Sequence, residues 1–354
     1  GYAPAYLIGK EIVYGVSTSP LPNTNITWLK SKTFNIGMDF EAWNGLLGLS
    51  LDYFERRRDG VFGQNSSSLP TVVGASAPIE NLNSDRNLGL ELEISHRNKV
   101  GDFSYSLKGI ASITRRQNLK AYGQGPYGNS YDRWRNDNLT NRYQGVQFGY
   151  EGVGRYQSWE DIWSYDIYKE GNLLPGDYKY LYWNGDGEIN SLDEHPFAYQ
   201  TPWMNYSLAF NCEYKGFDFS MLLQGSALGS YMYDEPLYSI WGSNGGGALE
   251  QFTDRWRPTG EYSDPYDQTL SWTSGHYAFT GHSPEKNSTF NRVSTSYLRL
   301  KSIELGYTLP HKKKDAFGLR VFVNAYNLLT LSGIKYVDPE HPDSDYGRMY
   351  PLNK

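Results

Sequence analysis

Between Tyr182 and Asp193, amide and acidic side chains recur at the spacing of a calcium-binding loop. Asn184, Asp186 and Asp193 stand at ligand positions three, five and twelve, with Gly187 at the turn and Glu188 as a further candidate ligand. A hard divalent cation prefers a shell of oxygens, and Tyr182 occupies the first position, where a carboxylate normally contributes. Two readings are open on these residues: Ca2+ bound at 182–193, or a metal-free turn built on Gly185 and Gly187.

Aromatic rings supply a second chemistry. Eight of the 10 tryptophans (Trp134, Trp159, Trp163, Trp183, Trp203, Trp241, Trp256 and Trp272) fall within 114–203 and 226–297, among many of the 31 tyrosines. A ring with an apolar face and a polar edge suits stacking on a sugar or a peptide. Trp159, Trp163, Tyr165 and Trp241 are the expected substrate-binding residues, with Glu160 and Asp161 beside the first two. The competing role is internal: long loops need small cores of their own, and rings also pack on partners.

Catalysis has little support. HExxH, GxSxG and P-loop patterns are missing, and the six histidines lack ligand spacing. Asp193-Glu194 and Asp234-Glu235 read as solvated loop acids, and the glycine run at 245–247 as a loop, so no enzyme is expected. A formal charge of -6 argues against nucleic acid, the basic clusters Arg56–Arg58 and Lys312–Lys314 being short enough for solvated turns. The single cysteine, Cys212, offers neither a disulfide nor a metal pair and reads as a small apolar residue.

The elements that must carry these loops show as period-two alternation. Phe34, Ile36, Met38 and Phe40 share one face, and Leu47, Leu49, Leu51 and Tyr53 the next. Leu88 to Ile94, Phe103 to Ile113, Met204 to Cys212 and Phe217 to Leu223 repeat the pattern. Ile303, Leu305 and Tyr307 alternate too, but Leu298 and Leu300 have the opposite parity, so a bulge or a later start is expected there. Leu319 to Ala325 completes eight strands in four hairpins.

Short turns close the hairpins, whereas long loops at 55–87, 114–203 and 226–297 join them. This asymmetry is that of outer-membrane barrels. Asp39, Glu41, Glu91, Glu93, Lys108 and Glu213 lie on the polar faces, suited to a wet lumen, while the apolar faces suit lipid. No run of about 18 apolar residues offers a transmembrane helix, which leaves membrane strands open. An antiparallel sheet with one face on a protein core gives the same alternation.

Particular residues sharpen the choice. Asn25-Ile26-Thr27-Trp28, Asn35-Ile36-Gly37-Met38-Asp39-Phe40 and Leu51-Asp52-Tyr53-Phe54 come in order, with Leu29 where a Glu is usual. Asn87-Leu88-Gly89-Leu90-Glu91 follows, then Pro175-Gly176-Asp177-Tyr178-Lys179-Tyr180 leading into Asn184-Gly185-Asp186-Gly187. Tyr297-Leu298-Arg299-Leu300-Lys301, Leu305-Gly306-Tyr307-Thr308-Leu309-Pro310, Asn327-Leu328-Leu329-Thr330 and Asp338-Pro339-Glu340 end the series. Through these motifs nearly the whole chain resembles the C-terminal part of the SusC/RagA-type TonB-dependent transporters of the Bacteroidetes outer membrane.

The resemblance implies an all-β fold. Residues 1–354 would be a C-terminal fragment, about eight strands of a transmembrane antiparallel β-barrel of about 22 strands. It also implies TonB-dependent import of an oligosaccharide or oligopeptide across the outer membrane, with a SusD-like surface lipoprotein as partner and TonB engaged through residues outside this sequence. Two further readings are weighed against it: a soluble or surface-attached all-β glycan-binding protein or glycan-active enzyme, and a self-contained eight-stranded barrel.

Overall fold

The computed structural model describes residues 2–16, 21–64, 77–122, 131, 135, 137–165, 172–233, 235–240, 248–280, 282–285, 287–310 and 318–340. All eight expected strands are present: β3 (Lys30–Ala42), β4 (Leu47–Gln64), β5 (Ile79–Val100), β6 (Phe103–Lys120), β11 (Met204–Tyr214), β12 (Phe217–Ala227), β17 (Tyr297–Thr308) and β18 (Arg320–Ser332). They form one antiparallel sheet in the order β18-β17-β12-β11-β6-β5-β4-β3, a meander in which the long connections also join neighbours. An N-terminal hairpin, β1 (Tyr2–Ile8) with β2 (Glu11–Val16), was not anticipated.

The chain divides into two compact units. One comprises Gly1–Ile36, Tyr53–Gly89 and Thr114–Gln144, the other Gly37–Asp52, Leu90–Ile113 and Gly145–Lys354. The second holds some part of every strand of the large sheet.

In that second unit the alternation becomes two chemically distinct faces. Met204, Tyr206, Leu208, Phe210 and Cys212 align with Ile113, Ala111, Gly109, Leu107 and Tyr105 on one side and with Ala227, Gly225, Leu223, Met221 and Phe219 on the other. Leu107, Phe217, Leu305, Val321 and Val323 on this face are exposed, so no second layer of the described residues covers it. The opposite face carries rows such as Lys108-Ala209 and Ser220-Glu304, and Lys108 pairs with Glu93 at 2.7 Å. Eleven residues of β11 extend about 36 Å, which at a barrel tilt gives roughly the 25 Å apolar band of an outer-membrane wall.

The turn end of the band is rich in rings. Phe103 stacks near Tyr105 at 5.7 Å, and Phe217 lies 4.5 Å from Tyr307. Between β11 and β12 the chain reverses in two residues, Lys215 (φ 47) and Gly216 (φ 88). Positive φ at both positions defines the twist-compatible hairpin turn. A Cβ on Gly216 would also lie 2.7 Å from the Thr308 carbonyl oxygen.

The expected irregularity in β17 is a bulge at Lys301. Leu300 pairs with Leu223 and Ser302 with Leu222, leaving Lys301 unmatched. The register against β18 shifts at the same place, beside Asn327 at φ 52. One extra residue reverses the parity, so Leu298 and Leu300 rejoin the apolar face of Ile303 and Leu305 while Arg299 points to the polar side.

Two of the long connections are shorter than the sequence suggested, because β4, β5 and β6 run on into 55–87 and 114–120. In the first unit these extensions are polar on both parities. Asp85, buried, accepts from Arg58 Nε at 2.8 Å and Arg116 Nη2 at 2.6 Å, while Arg86 on the other parity binds Gln117 at 2.8 Å and Glu55 at 3.4 Å. Asn81 binds the backbone of Thr27 and Gly60 through its amide.

Candidate functional site

The long connections are folded. β7 (Val146–Gly149) pairs with β10 (His195–Tyr199), β8 (Gly152–Arg155) with β9 (Tyr178–Tyr180), and β13 (Ser230–Met232) with β16 (Arg292–Ser294). Tyr178, Tyr180 and Ala278 form one small core with Tyr150, Ile189 and Phe290, and Tyr231, Leu237, Ile334 and Val337 form another. Much of the loop aromatic content is therefore structural. Trp256 packs on Gly176 (φ 91) so closely that a Cβ there would be 2.2 Å from the indole Cγ.

Against this frame sits a short helix, Trp159–Ser164. Ser158 caps it, its hydroxyl accepting from the Asp161 amide, and Glu160 and Asp161 favour the positive end of its dipole. Trp159 and Trp163, four residues apart, stack with centroids 6.2 Å apart, and Trp163 is 59% exposed. Lys179 Nζ bonds Asp161 at 2.8 Å and lies 4.4 Å from the Tyr165 ring centroid. The lysine hydrogen bond holds the Asp161 carboxyl below its ordinary range, with the Gln157 amide adding to it. Tyr165 donates its hydroxyl to the Tyr180 carbonyl at 2.7 Å.

Trp159, Trp163 and Tyr165 are thus brought together, with Lys179 as a member that sequence spacing did not reveal. Trp241 lies outside the described residues, as do Trp134, Asp234, the glycine run 245–247 and Lys312–Lys314. Tyr156 packs edge-on to Tyr165 at 6.0 Å, and burial, with Tyr165 and Asp161 nearby, pushes its hydroxyl pKa up to about 12.

Next to this cluster, Asp177 ties two connections together. Its Oδ2 accepts from the Leu174 amide at 2.7 Å and pairs with His282 Nδ1 at 2.8 Å. The Asp177 hydrogen bond raises the His282 pKa against the opposing effect of burial. A raised folded-state pKa stabilises the protein fully below the ordinary imidazole value of about 6.5 and loses that contribution as pH rises through the raised value. Hydrogen exchange at the Leu174 and Asp177 amides, corrected for intrinsic rates, is expected to quicken about fivefold across that window, from a bond worth about 1 kcal/mol. His282→Ala should abolish the pH dependence; protection flat with pH in the native protein contradicts the coupling.

The loop at 182–193 uses its polar groups internally. Asp193, 1% exposed, accepts from the Trp183 amide at 2.7 Å, the Asn184 amide at 3.2 Å and the Asn190 amide at 2.9 Å. Asp186 accepts from the Glu188 amide at 3.0 Å and from the Asn184 side chain at 3.0 Å, and Tyr182 turns its hydroxyl to the Gly187 amide. Among the described residues no three His, Cys, Asp or Glu side chains group to hold a metal ion. With position one lacking a carboxylate and Asp193 engaged by three amides, these residues fit a metal-free turn better than Ca2+. Calcium followed by a chelator is expected to leave the melting temperature and the exchange protection of 182–193 unchanged; a clear calcium-dependent rise in either would restore the cation.

Sequence reasoning assigned no role to Arg299. It is fully buried and bonds Thr330 Oγ1 at 3.0 Å, Asp338 Oδ1 at 2.9 Å and Glu340 Oε2. Lys301 reaches the same Glu340 oxygen at 3.5 Å.

No family model matches the chain. Among curated proteins, TonB-dependent receptor P3 of Formosa agariphila is 27% identical over 349 residues, covering 94% of this chain and 33% of the relative. TonB-dependent receptor SusC of Bacteroides thetaiotaomicron is 25% identical over 369 residues, covering 99% and 34%. Among solved structures, the RagAB peptide transporter shares the fold with a TM-score of 0.68 at 18% identity, over 96% of this chain and 35% of that one. The RagAB peptide importer in its open-open state gives 0.66 at 19%. Across nearly its whole length the chain is thus similar in sequence to TonB-dependent receptors, SusC among them, and its fold is that of part of the RagAB structures; it spans about a third of the length of the relatives it matches.

Proposed function

We propose that this chain builds part of the wall and outer loops of a TonB-dependent importer in the outer membrane, working with a SusD-like lipoprotein to take up an oligosaccharide or oligopeptide. The observation that supports it is the large antiparallel sheet with one uncovered apolar face and one face bearing Lys108, Glu93 and Glu304. In water such a stripe demands a covering layer, whereas lipid on one side and a wet pore on the other satisfy both faces. The SusC and RagAB likenesses agree with import, and the RagAB name with a two-component system.

On this reading TonB energises the whole protein, the strands are scaffold, and recognition belongs to the loops. The exposed Trp163 face, held by Trp159 and flanked by Asp161 and Lys179, offers a stacking surface to a sugar ring or a peptide side chain. Purification of the full-length protein tests the class: detergent-dependent solubility and a heat-modified gel shift are expected, and a monodisperse detergent-free protein overturns the membrane reading. Growth of a deletion strain on candidate glycans against candidate peptides then reads the cargo.

A further inference from the structure

Where the polar face of the sheet meets the folded connections, the second unit encloses a cavity of about 540 Å³. Its floor is a cross-strand row, Asn205, Ser226 and Tyr297, with Gln224 in the next row beside Arg299. Gln200, Thr201 and Pro202 form one wall, Ser230, Tyr231 and Thr295 another, and Pro339 with Glu340 closes over it.

Three features fix what this cavity can hold. First, several of its polar groups are uncommitted: among the described residues the side chains of Gln200, Asn205, Gln224 and Ser230 have no hydrogen-bond partner, and Thr295, 1% exposed, has an unpartnered Oγ1. Second, the one carboxylate among its described lining residues, Glu340, is neutralised by pairing with Arg299 and Lys301. Third, Tyr297, Tyr231 and the two prolines supply its apolar surface, with no Leu, Ile, Val or Met among the described lining residues.

Carboxamides donate and accept from adjacent atoms, which matches vicinal hydroxyls, and ring faces match the C–H side of a pyranose. A peptide would bring side chains for which this lining provides neither a greasy nor an unpaired charged niche. The volume falls within the usual range of small-molecule sites. We infer that this cavity is a binding site for a neutral sugar unit, set against the polar face of β11, β12 and β17. Its place along a transport path rests on the import reading; the binding itself does not.

The test uses the full-length protein in detergent, titrated calorimetrically with neutral malto-, xylo- and manno-oligosaccharides and with an alanine oligopeptide. One neutral series is expected to bind, and Asn205→Leu and Gln224→Leu each to weaken it about tenfold, the loss of one hydrogen bond to the ligand, with the heat-modified gel shift intact. Should either leucine disturb folding, Ser230→Ala on the wall serves instead and is expected to weaken binding by a smaller factor. Trp43→Ala, in the exposed turn between β3 and β4, should leave this binding unchanged. The inference is overturned if none of the neutral series binds, if binding ignores all the cavity substitutions, or if they weaken the alanine peptide instead. Sugar binding to the purified protein together with unimpaired growth of the deletion strain on that sugar would support the cavity while removing the import reading.

Discussion

Replacing Arg299 with alanine is expected to destabilise the protein by about 3–5 kcal/mol, the cost of stripping one partner from a buried ion pair. The guanidinium is fully buried and satisfies Asp338, Glu340 and Thr330 at once, so its removal takes the cation away from buried Asp338 and leaves the Glu340 carboxylate to Lys301. Arg299→Lys should recover only part of the loss, because a point charge cannot reproduce a planar fork across three acceptors. Unfolding by denaturant in detergent, followed by the heat-modified gel shift, measures it. A loss below about 1 kcal/mol would mean that the network is no more than a solvated surface cluster.

Leu208→Arg is expected to cost about 2–4 kcal/mol, as for an arginine on the lipid face near the bilayer midplane, while the neighbouring Ala209→Arg is nearly neutral. Leu208 lies midway along β11 between Gly109 and Leu223 on the uncovered apolar face, and Ala209 between Lys108 and Leu222 on the polar one. Adjacent positions with opposite outcomes are a signature of a wall between two solvents. Equal tolerance at both, measured by refolding into vesicles, would place the apolar face in water and sink the membrane assignment.

The parts of this fold legible in the sequence are those where one face alone is apolar. Phe34 to Phe40 and Met204 to Cys212 alternate because opposite sides meet opposite surroundings, and even the bulge showed as a parity break between Leu300 and Ile303. Past the apolar band the signal vanishes, since Glu55, Arg86 and Gln117 on one parity are as polar as Arg58, Asp85 and Arg116 on the other. In the sequence the extensions of β4, β5 and β6 therefore look like loop. Nearness along the chain suffices to group Trp159, Trp163 and Tyr165, but not Lys179, which arrives from a paired strand. Arg299 meets its acids across 39 and 41 residues, a distance no local pattern spans. At 182–193 the spacing was that of a cation loop, yet the same acids serve equally well as caps for backbone amides.

Lys301 gives the strand something like a reading frame. Upstream of it Leu298 and Leu300 face out and Arg299 faces in only because one surplus residue separates them from Ile303. Deleting that residue would exchange the two sets, driving a guanidinium onto the uncovered apolar face and two leucines onto the polar one. Length changes within such a wall are tolerable only in pairs, whereas its turns and outer loops can gain or lose any number. Variation among transporters of this build should accordingly accumulate where the chain leaves the sheet, with a single-residue insertion in a strand surviving only beside a second that resets the phase.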